Sequence, residues 1–153
     1  MSRYRPPELL AGHHQRAGFR CRSEEQSNWL QDLAWQAHRS GTTRVLVVTE
    51  AEQNSVLAYY AWCMASVATR DLPERMRRGV GRYPQPVALF ARLGVDERHE
   101  GQGLGAALLL DAITRVASLS DGIGCRGLLV HAESQAARGF YEHLIPDFER
   151  SPT

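Results

Sequence analysis

The sequence predicts an α/β fold in which helices cover both faces of one mixed sheet. Apolar runs spaced like the strands of hairpins fill the early part of the chain, and strand-like and helix-like segments alternate in the later part. No repeat, linker or low-complexity stretch divides the 153 residues. Since this length is typical of one domain, we expect residues 1–153 to form a single domain.

The first predicted element is a helix that begins at Ser23. Its hydroxyl is placed to accept a hydrogen bond from the backbone N–H three residues on, and Gln26 is placed to reach back, as in a capping box. Apolar residues then recur at helical spacing from Trp29 to Ala37. The helix should end near Gly41, because glycine is favoured just past a helix end.

Three strands are predicted next, from β-branched and apolar runs at residues 44–49, 56–69 and 86–95. A polar turn separates the first two. Residues 70–86 form a basic excursion rich in proline and glycine, with a short helix around Pro73–Arg78. Gly94, near the end of the third strand, indicates a bulge or a close approach of the backbone.

The remaining elements alternate helix, strand and helix. Leucines at helical spacing predict a helix over Gly103–Leu119. A loop is expected at Asp121–Gly124, a fourth strand at Arg126–His131 and a last helix at Ser134–Leu144.

The net charge of +1 conceals an uneven distribution, and all 18 basic residues are arginine. Residues 1–22 hold five arginines and one acid, and residues 70–92 hold six arginines and two acids, so each segment carries +4. Arginine is well suited to binding phosphate, because its guanidinium group is planar and donates in pairs. The cluster of Arg75, Arg77, Arg78 and Arg82 is equally compatible with a solvated surface and with a phosphate-binding one.

Composition also excludes several classes of protein. Three widely spaced cysteines do not form a disulfide framework, which favours a reducing compartment. The first residues lack an apolar signal region, and the longest nearly apolar run, Val56–Ala68, is too short to cross a bilayer. No second Cys or His pair completes a metal site with His13 and His14. We therefore expect a cytoplasmic protein without a metal.

The segment that joins the third strand to the next helix carries the strongest sign of function. Glycines 101, 103 and 105 allow the backbone to turn tightly and to point several N–H groups at one place, at a helix N-terminus with Arg98 just upstream. This pattern predicts a pyrophosphate site. Neither Lys-Ser nor Lys-Thr follows it, which excludes a Walker A loop, and the fingerprint-like glycines at 122, 124 and 127 lead into a strand rather than a helix.

Two motifs resemble signatures of one enzyme superfamily. Arg98-x-x-Gly101-x-Gly103, after a strand that ends in Val95-Asp96, resembles the coenzyme A signature of the GNAT N-acetyltransferases. Residues 137–142, Ala-Arg-Gly-Phe-Tyr-Glu, resemble the second signature of that superfamily. The resemblance implies a GNAT-like fold and acetyl-CoA as co-substrate.

Further segments narrow the resemblance. Residues 91–96, residues 128–132, the Arg77-Arg78 loop and the Trp29-Leu30 helix look like the acetyltransferase toxins of toxin–antitoxin pairs, which acetylate the amino group of aminoacyl-tRNA and stop translation. The similarity runs from about Phe19 to the end. It implies aminoacyl-tRNA as substrate, a ribbon-helix-helix antitoxin, a homodimer and no membrane partner.

The resemblance also assigns roles to residues. Tyr141 matches the general acid, a role that fits a phenol because its usual pKa of about 10 keeps it protonated at pH 7. The alternative is that Tyr141 is a core aromatic beside Phe140. Cofactor contacts are expected at Leu93, Val95, Arg98, Gly101, Gln102, Gly103, Leu104, Gly105 and Ser134. Contacts with tRNA phosphates are expected at Arg75, Arg77, Arg78, Arg82 and Arg92.

The catalytic strand lacks an obvious general base, because residues 87–95 include no carboxylate. A lysine substrate, with a pKa of about 10.4, needs a base more than an α-amino group with a pKa of about 8 does. This favours an aminoacyl or peptide-type amine. Two other functions remain compatible with the sequence: an ordinary GNAT enzyme acting on a small amine or a protein N-terminus, and a CoA-binding regulatory module without catalysis.

Overall fold

The computed structural model describes residues 3–72, 74–77 and 83–144. Five strands form one sheet in the order β1-β2-β3-β4-β5. The first four strands run antiparallel to their neighbours and β5 runs parallel to β4, which confirms the mixed sheet. The strands are β1 (Glu8–Leu9), β2 (Arg44–Val48), β3 (Ala58–Val67), β4 (Gln85–Val95) and β5 (Leu128–Val130).

The described α-helices are α1 (Glu24–Asp32), α2 (Ala34–Ser40), α3 (Glu74–Arg77), α4 (Leu104–Ile123) and α5 (Gln135–Leu144). Short 3-10 turns occupy Thr69–Asp71 and Glu97–His99. The helix α3 lies within the range expected at 73–78, whose end residues Pro73 and Arg78 fall outside the described part. No helix among the described residues is long and apolar enough to cross a membrane.

The prediction of one continuous helix from Ser23 to Gly41 is wrong, because the helix breaks at Leu33. That residue ends α1 and begins α2 with a φ of −119°, away from helical values. The Ser23 cap is confirmed: its hydroxyl accepts a hydrogen bond from the Gln26 backbone N–H at 3.2 Å. The Gln26 side chain does not reach back. It turns into the protein, where it bonds to groups distant in sequence.

The loop expected at Asp121–Gly124 is also wrong, because α4 continues through Ile123. Serine, aspartate and glycine in this stretch favour a turn locally, but the helix ends only at Gly124. Gly124 adopts a left-handed φ of 69° and donates its backbone N–H to the Ser120 carbonyl. This is the usual termination of a helix by glycine.

Helices pack on both faces of the sheet, as expected. Successive residues of a strand face opposite sides of the sheet, and both sides are buried along β2 from Val45 and in the first four residues of β3, so these segments read as unbroken apolar runs. The core on the α4 and α5 face includes Leu46, Tyr60, Phe90, Leu108 and Tyr141. The core on the α1 and α2 face includes Phe19, Leu30, Ala34, Val47 and Tyr59.

The strand β4 separates from β5 partway along its length. It pairs with β5 only over Ala88–Phe90, whereas it stays paired with β3 as far as Val95. A β-bulge accompanies the separation, since Trp62 pairs with Phe90 but Ala61 pairs with Arg92, which leaves Ala91 as the extra residue. The last five residues of β4 therefore border an opening where β5 has ended.

Gly94 allows this part of β4 to contact the aromatic side chains on the α1 and α2 face. The close approach of the backbone that was expected at this glycine is confirmed. A Cβ atom built on Gly94 would lie 2.9 Å from Cε1 of Tyr59 and 3.1 Å from Cζ of Phe19. Both rings are completely buried. The missing side chain therefore allows the aromatic layer to contact the strand directly.

Replacing Gly94 by alanine should destabilise the protein, because a methyl group has no room between the strand and two immobile rings. We expect Gly94→Ala to lower the free energy of unfolding by about 1–3 kcal/mol, the usual range for overpacking. Urea denaturation followed by circular dichroism measures this change. Gly122→Ala is the control: that position meets no atom within 4 Å, so the variant should be as stable as the wild type or more stable. Equal midpoints for the two variants would contradict the packing argument.

Candidate active site

A cleft of about 520 Å³ opens where β4 leaves β5. The end of β4 forms one wall, and the glycine turn with the first residues of α4 forms another. The segment before α1 and the residues after β5 complete it. Its lining residues are Cys21, Arg22, Ser23, Leu93, Gly94, Val95, His99, Glu100, Gly101, Gly103, Leu104, Gly105, Ala106, Glu133 and Phe140.

The glycine turn exposes the N-terminus of α4 to this cleft. Gly101 and Gly103 have φ values of 78° and 79°, a region that favours glycine over other residues. Gly103 caps the helix without a side chain, so the first N–H groups of α4 keep no intrahelical partner. These N–H groups and the positive end of a 20-residue helix form an environment suited to a phosphate group.

Two backbone N–H groups of β4 also face the opening. Asp96, just past the strand, donates its N–H to the Leu57 carbonyl on the β3 side at 2.8 Å. Since successive residues of a strand direct their N–H groups to opposite edges, those of Val95 and Leu93 face away from β3. The described sheet offers no strand partner on that edge, because β5 pairs no further than Phe90.

The structure brings six of the nine predicted cofactor residues to the cleft: Leu93, Val95, Gly101, Gly103, Leu104 and Gly105. Arg98, Gln102 and Ser134 do not line it. Gln102 is exposed in the glycine turn. The Ser134 hydroxyl accepts a hydrogen bond from the Ala137 backbone N–H at 3.1 Å, so it caps α5.

Arg98 is engaged by Asp96 instead of pointing into the cleft. Its Nε donates to Oδ1 of Asp96 at 3.0 Å, and its side chain borders a separate cavity of about 500 Å³ near Arg16. Burial favours a higher pKa for Asp96, but hydrogen bonds from the Arg98 side chain and from the backbones of Arg98 and Arg20 outweigh it and hold that pKa below its usual value. Arg98 thus orders the turn that leads into the glycine segment.

Tyr141 lies in the core beside the cleft and not on its surface. It is only 7% exposed, and its ring and that of Phe90 form a T-shaped pair with a centroid distance of 6.1 Å. Burial, followed by the negative charge of Glu133, raises the pKa of Tyr141 above its usual value. The phenol is therefore protonated at neutral pH, with Glu133 close enough to influence it.

Phe140 connects the last helix to the glycine turn. It lines the cleft, and a Cβ atom built on Gly105 would lie 2.9 Å from its Cζ atom. Gly105 therefore gives α5 a close contact with the first turn of α4. This contact places the helix that carries Tyr141 against the predicted phosphate site.

The predicted nucleic-acid arginines are only partly described. Arg77 is exposed, and its Nε donates to the Leu72 carbonyl at 2.9 Å. Arg92 lies over the Trp29 ring at 4.7 Å and donates to Oε1 of Gln26 at 3.1 Å, so it also ties α1 to the sheet. Arg78, Arg82 and the side chain of Arg75 fall outside the description.

Glu133 is a cleft residue that sequence reasoning missed. Its Oε2 accepts hydrogen bonds from Oγ of Ser23 at 3.3 Å and from Nε2 of Gln26 at 3.2 Å. The available signal was its position three residues beyond β5, since residues just past the carboxyl ends of strands often form sites. Its partners lie more than a hundred residues away, so no local pattern connects them.

One further cluster of possible metal ligands has a simpler explanation. Glu8, His13 and His14 bring their ligand atoms within 4.8 Å of one another. The two ring nitrogens of His14 are already used, because Nδ1 accepts from the Ala11 backbone N–H and Nε2 bonds to Oε1 of Glu8, each at 2.9 Å. His14 is therefore a hydrogen-bonded core residue.

Comparison with known proteins gives consistent matches. The acetyltransferase (GNAT) domain family matches residues 41–144. The tRNA-acetylating toxin of Mycobacterium tuberculosis (strain ATCC 25618 / H37Rv) is 39% identical over 100% of this chain and 89% of its own length. The structure of AtaT complexed with acetyl-methionyl-tRNAfMet is 26% identical, with a TM-score of 0.84 over 91% of this chain and 84% of that one. A mutant AtaT toxin bound to the C-terminus of the antitoxin AtaR and to acetyl-CoA is also 26% identical, with a TM-score of 0.75 over 90% and 81% of the two chains.

Proposed function

Because the chain belongs to the acetyltransferase (GNAT) domain family, we propose that it is an N-acetyltransferase toxin that acetylates the amino group of aminoacyl-tRNA and thereby blocks translation. The observation that carries the proposal is the cleft at the point where β4 leaves β5. It combines a helix N-terminus suited to phosphate with strand N–H groups that pair with no described strand, beside a protonated tyrosine. The similarity to a tRNA-acetylating toxin over the whole chain supports tRNA as the substrate.

The co-substrate is acetyl-CoA, and the cleft offers a complementary group for each of its parts. The N–H groups at the start of α4, with the turn at Gly101–Gly105, would hold the pyrophosphate. The N–H groups of Leu93 and Val95 would bind the acetyl carbonyl oxygen, where negative charge develops in the transition state. Gln102 and Ser134 would contact the cofactor at the rim of the cleft, and Arg98 would keep the turn in shape.

Tyr141 supplies the proton that the reaction needs. The neutral amine nitrogen of the substrate forms a bond to the thioester carbonyl carbon, and the carbon–sulfur bond then breaks. The sulfur leaves as a thiolate, a group whose usual pKa in cysteine is about 8.5. Transfer of the phenolic proton of Tyr141 to this sulfur makes it a stable leaving group.

The basic excursion would hold the tRNA. Arginine side chains bind phosphate oxygens without reading sequence, so they position a nucleic acid by its backbone. Arg77 is exposed at the end of α3, in the segment that carries a local charge of +4. We assign phosphate contacts to Arg77 and to its neighbours Arg75, Arg78, Arg82 and Arg92.

Toxins of this kind act with a partner, and we expect one here. The similarity to an AtaT toxin bound to the antitoxin AtaR supports an antitoxin as partner. We propose that this antitoxin is a ribbon-helix-helix protein and that the toxin is a homodimer. We also propose that residues 1–153 constitute the single catalytic domain.

Incubation with labelled acetyl-CoA tests the proposed substrate. We expect label on aminoacyl-tRNA and none on uncharged tRNA, because only the charged form offers an aliphatic α-amino group. The exocyclic amines of the nucleobases are conjugated with the ring and are poor nucleophiles. Label on peptides or small amines but not on charged tRNA would instead identify an ordinary GNAT enzyme. Binding of acetyl-CoA without transfer to any amine would indicate a regulatory module.

Replacing Tyr141 by phenylalanine tests the proton donor. The variant keeps the aromatic packing against Phe90 and loses only the hydroxyl. We expect turnover to fall by a factor of about 100 or more, as is typical for loss of a general acid, while the Kd for acetyl-CoA changes less than twofold. Steady-state kinetics and calorimetric titration measure the two quantities. Unchanged turnover would show that Tyr141 is only a packing residue.

Replacing Arg77 and Arg78 by alanine tests the tRNA surface. Each lost phosphate contact should reduce the slope of log affinity against log salt by about 0.9 for duplex nucleic acid, so the pair should reduce it by about two. Filter binding over a range of salt concentrations measures this slope. Arg39→Ala, at the end of α2, is the control and should leave it unchanged. An unaltered slope in the double variant would remove these arginines from the interface.

A further inference from the structure

Hydrogen bonds from two side chains hold the carboxylate of Glu133 at the cleft. Both of its hydrogen bonds, from Ser23 and from Gln26, go to Oε2. Oε1 accepts none from the described residues, so one oxygen is anchored while the other is available to the cleft. A carboxylate can accept several hydrogen bonds, so this capacity is unused.

The orientation of the Gln26 side-chain amide determines which of its groups meets the carboxylate of Glu133. Its side chain is buried, and Oε1 accepts hydrogen bonds from Nη1 of Arg92 at 3.1 Å and from the Tyr59 hydroxyl at 3.3 Å. The single proton of the Tyr59 hydroxyl is shared with the Gln26 backbone carbonyl, which lies nearer at 2.8 Å. The Arg92 guanidinium can only donate, so the amide oxygen must lie on its side and the NH₂ group must face Glu133. The buried amide thereby fixes which group meets the carboxylate.

The charges around the cleft leave Glu133 without a cationic partner in the described structure. Arg22 and Glu100 pair with each other at 2.7 Å. Arg92 pairs with Glu25 at 3.6 Å and stacks on Trp29. Glu133 forms no ion pair among the described residues, although it lines the same cleft as Leu93 and Val95, which form the proposed acetyl site. A cationic or hydrogen-bond-donating group of the substrate is the natural complement.

We propose that Glu133 is a catalytic residue that binds the α-amino group of the aminoacyl-tRNA and takes its proton during acetyl transfer. The proposal rests on the function proposed above. In the resting complex the carboxylate binds the ammonium form. The ammonium group then loses one proton to bulk water. Glu133 accepts a hydrogen bond from an N–H of the neutral amine and directs the nitrogen toward the thioester carbon.

The protons and bonds of the step balance as follows. The nitrogen forms its bond to the carbonyl carbon and becomes positively charged, and its proton passes to Glu133. The carbon–sulfur bond breaks, and the sulfur takes the phenolic proton of Tyr141. The proton on Glu133 then passes to the Tyr141 phenolate, which restores both side chains. The product amide has no positive charge, so it no longer attracts the carboxylate and leaves.

A binding experiment isolates the recognition of the amine. The probes are two tRNAs that carry acyl groups through a stable amide link. The acyl groups have the same side chain and differ only at the α carbon, which bears an amino group in one and a hydroxyl group in the other. Without acetyl-CoA at neutral pH, we expect the wild type to prefer the amino form by about fivefold, the effect of an ion pair worth about 1 kcal/mol. Glu133→Gln, which keeps the size of the side chain and the contacts with Ser23 and Gln26, should bind the two forms equally. A preference that survives this substitution would overturn the proposal.

Kinetics test the catalytic part. We expect Glu133→Gln to lower kcat/KM for aminoacyl-tRNA by about 100-fold or more, the low end of the range for loss of a general base, with less than a twofold change in the Kd for acetyl-CoA. Glu24→Gln, an exposed acid in the first turn of α1, is the matched control and should keep wild-type values. If the wild type acetylates charged tRNA and Glu133→Gln does so equally well, this role is wrong and the proposed function stands. If the wild type does not acetylate charged tRNA, the proposed function is wrong, and so is the role of Glu133 that depends on it.

Discussion

The architecture of the site depends on the unequal pairing of β4 with its two neighbours. The strand is bound to β3 along its whole length but to β5 for only three residues. A sheet that separates in this way must leave backbone groups unpaired, which is ordinarily unfavourable in a protein interior. Here the N–H groups of Leu93 and Val95 have no partner strand in the described sheet, and they lie at a cleft beside a helix end whose first N–H groups have no intrahelical partner. The separation of β4 from β5 thus places strand N–H groups and a helix N-terminus at one cleft, where they suit a polar, anionic co-substrate.

The two faces of the sheet contribute differently to the position of the separated end of β4. On the α1 and α2 face, Tyr59 and Phe19 press against Gly94 and hold the end of β4 in place. On the α4 and α5 face, Phe90 and Tyr141 pack edge to face and join the last helix to β4. The polar connection between the faces is the chain of contacts from Arg92 through Gln26 to Glu133. Apolar packing therefore positions the end of β4 and the helix that carries Tyr141. The buried amide of Gln26 orients the carboxylate of Glu133.

Local patterns were sufficient to predict much of this structure. Periodicity located the long strands and helices, the Ser23 cap and the glycine turn, because each is encoded by neighbouring residues. The failures have a common physical origin. The break at Leu33, the engagement of Arg98 by Asp96 and the position of Glu133 depend on tertiary contacts that override or add to local preference. Gln26 shows this directly: the capping pattern was correct for its backbone, whereas its side chain was recruited by residues from β3, β4 and the segment after β5.

The contact between Phe140 and Gly105 has a consequence for genetics. Selection for cells that survive expression of such a toxin enriches inactive variants, and substitutions at Gly105 should be among them. Such a variant would be scored as a lesion in the glycine motif of the cofactor site. The added side chain would in fact collide with the Phe140 ring, which would have to move and so disturb the contact between the last helix and the glycine turn. If a smaller residue at position 140 restored activity to such a variant, this would show that the glycine motif also forms the packing surface for the last helix.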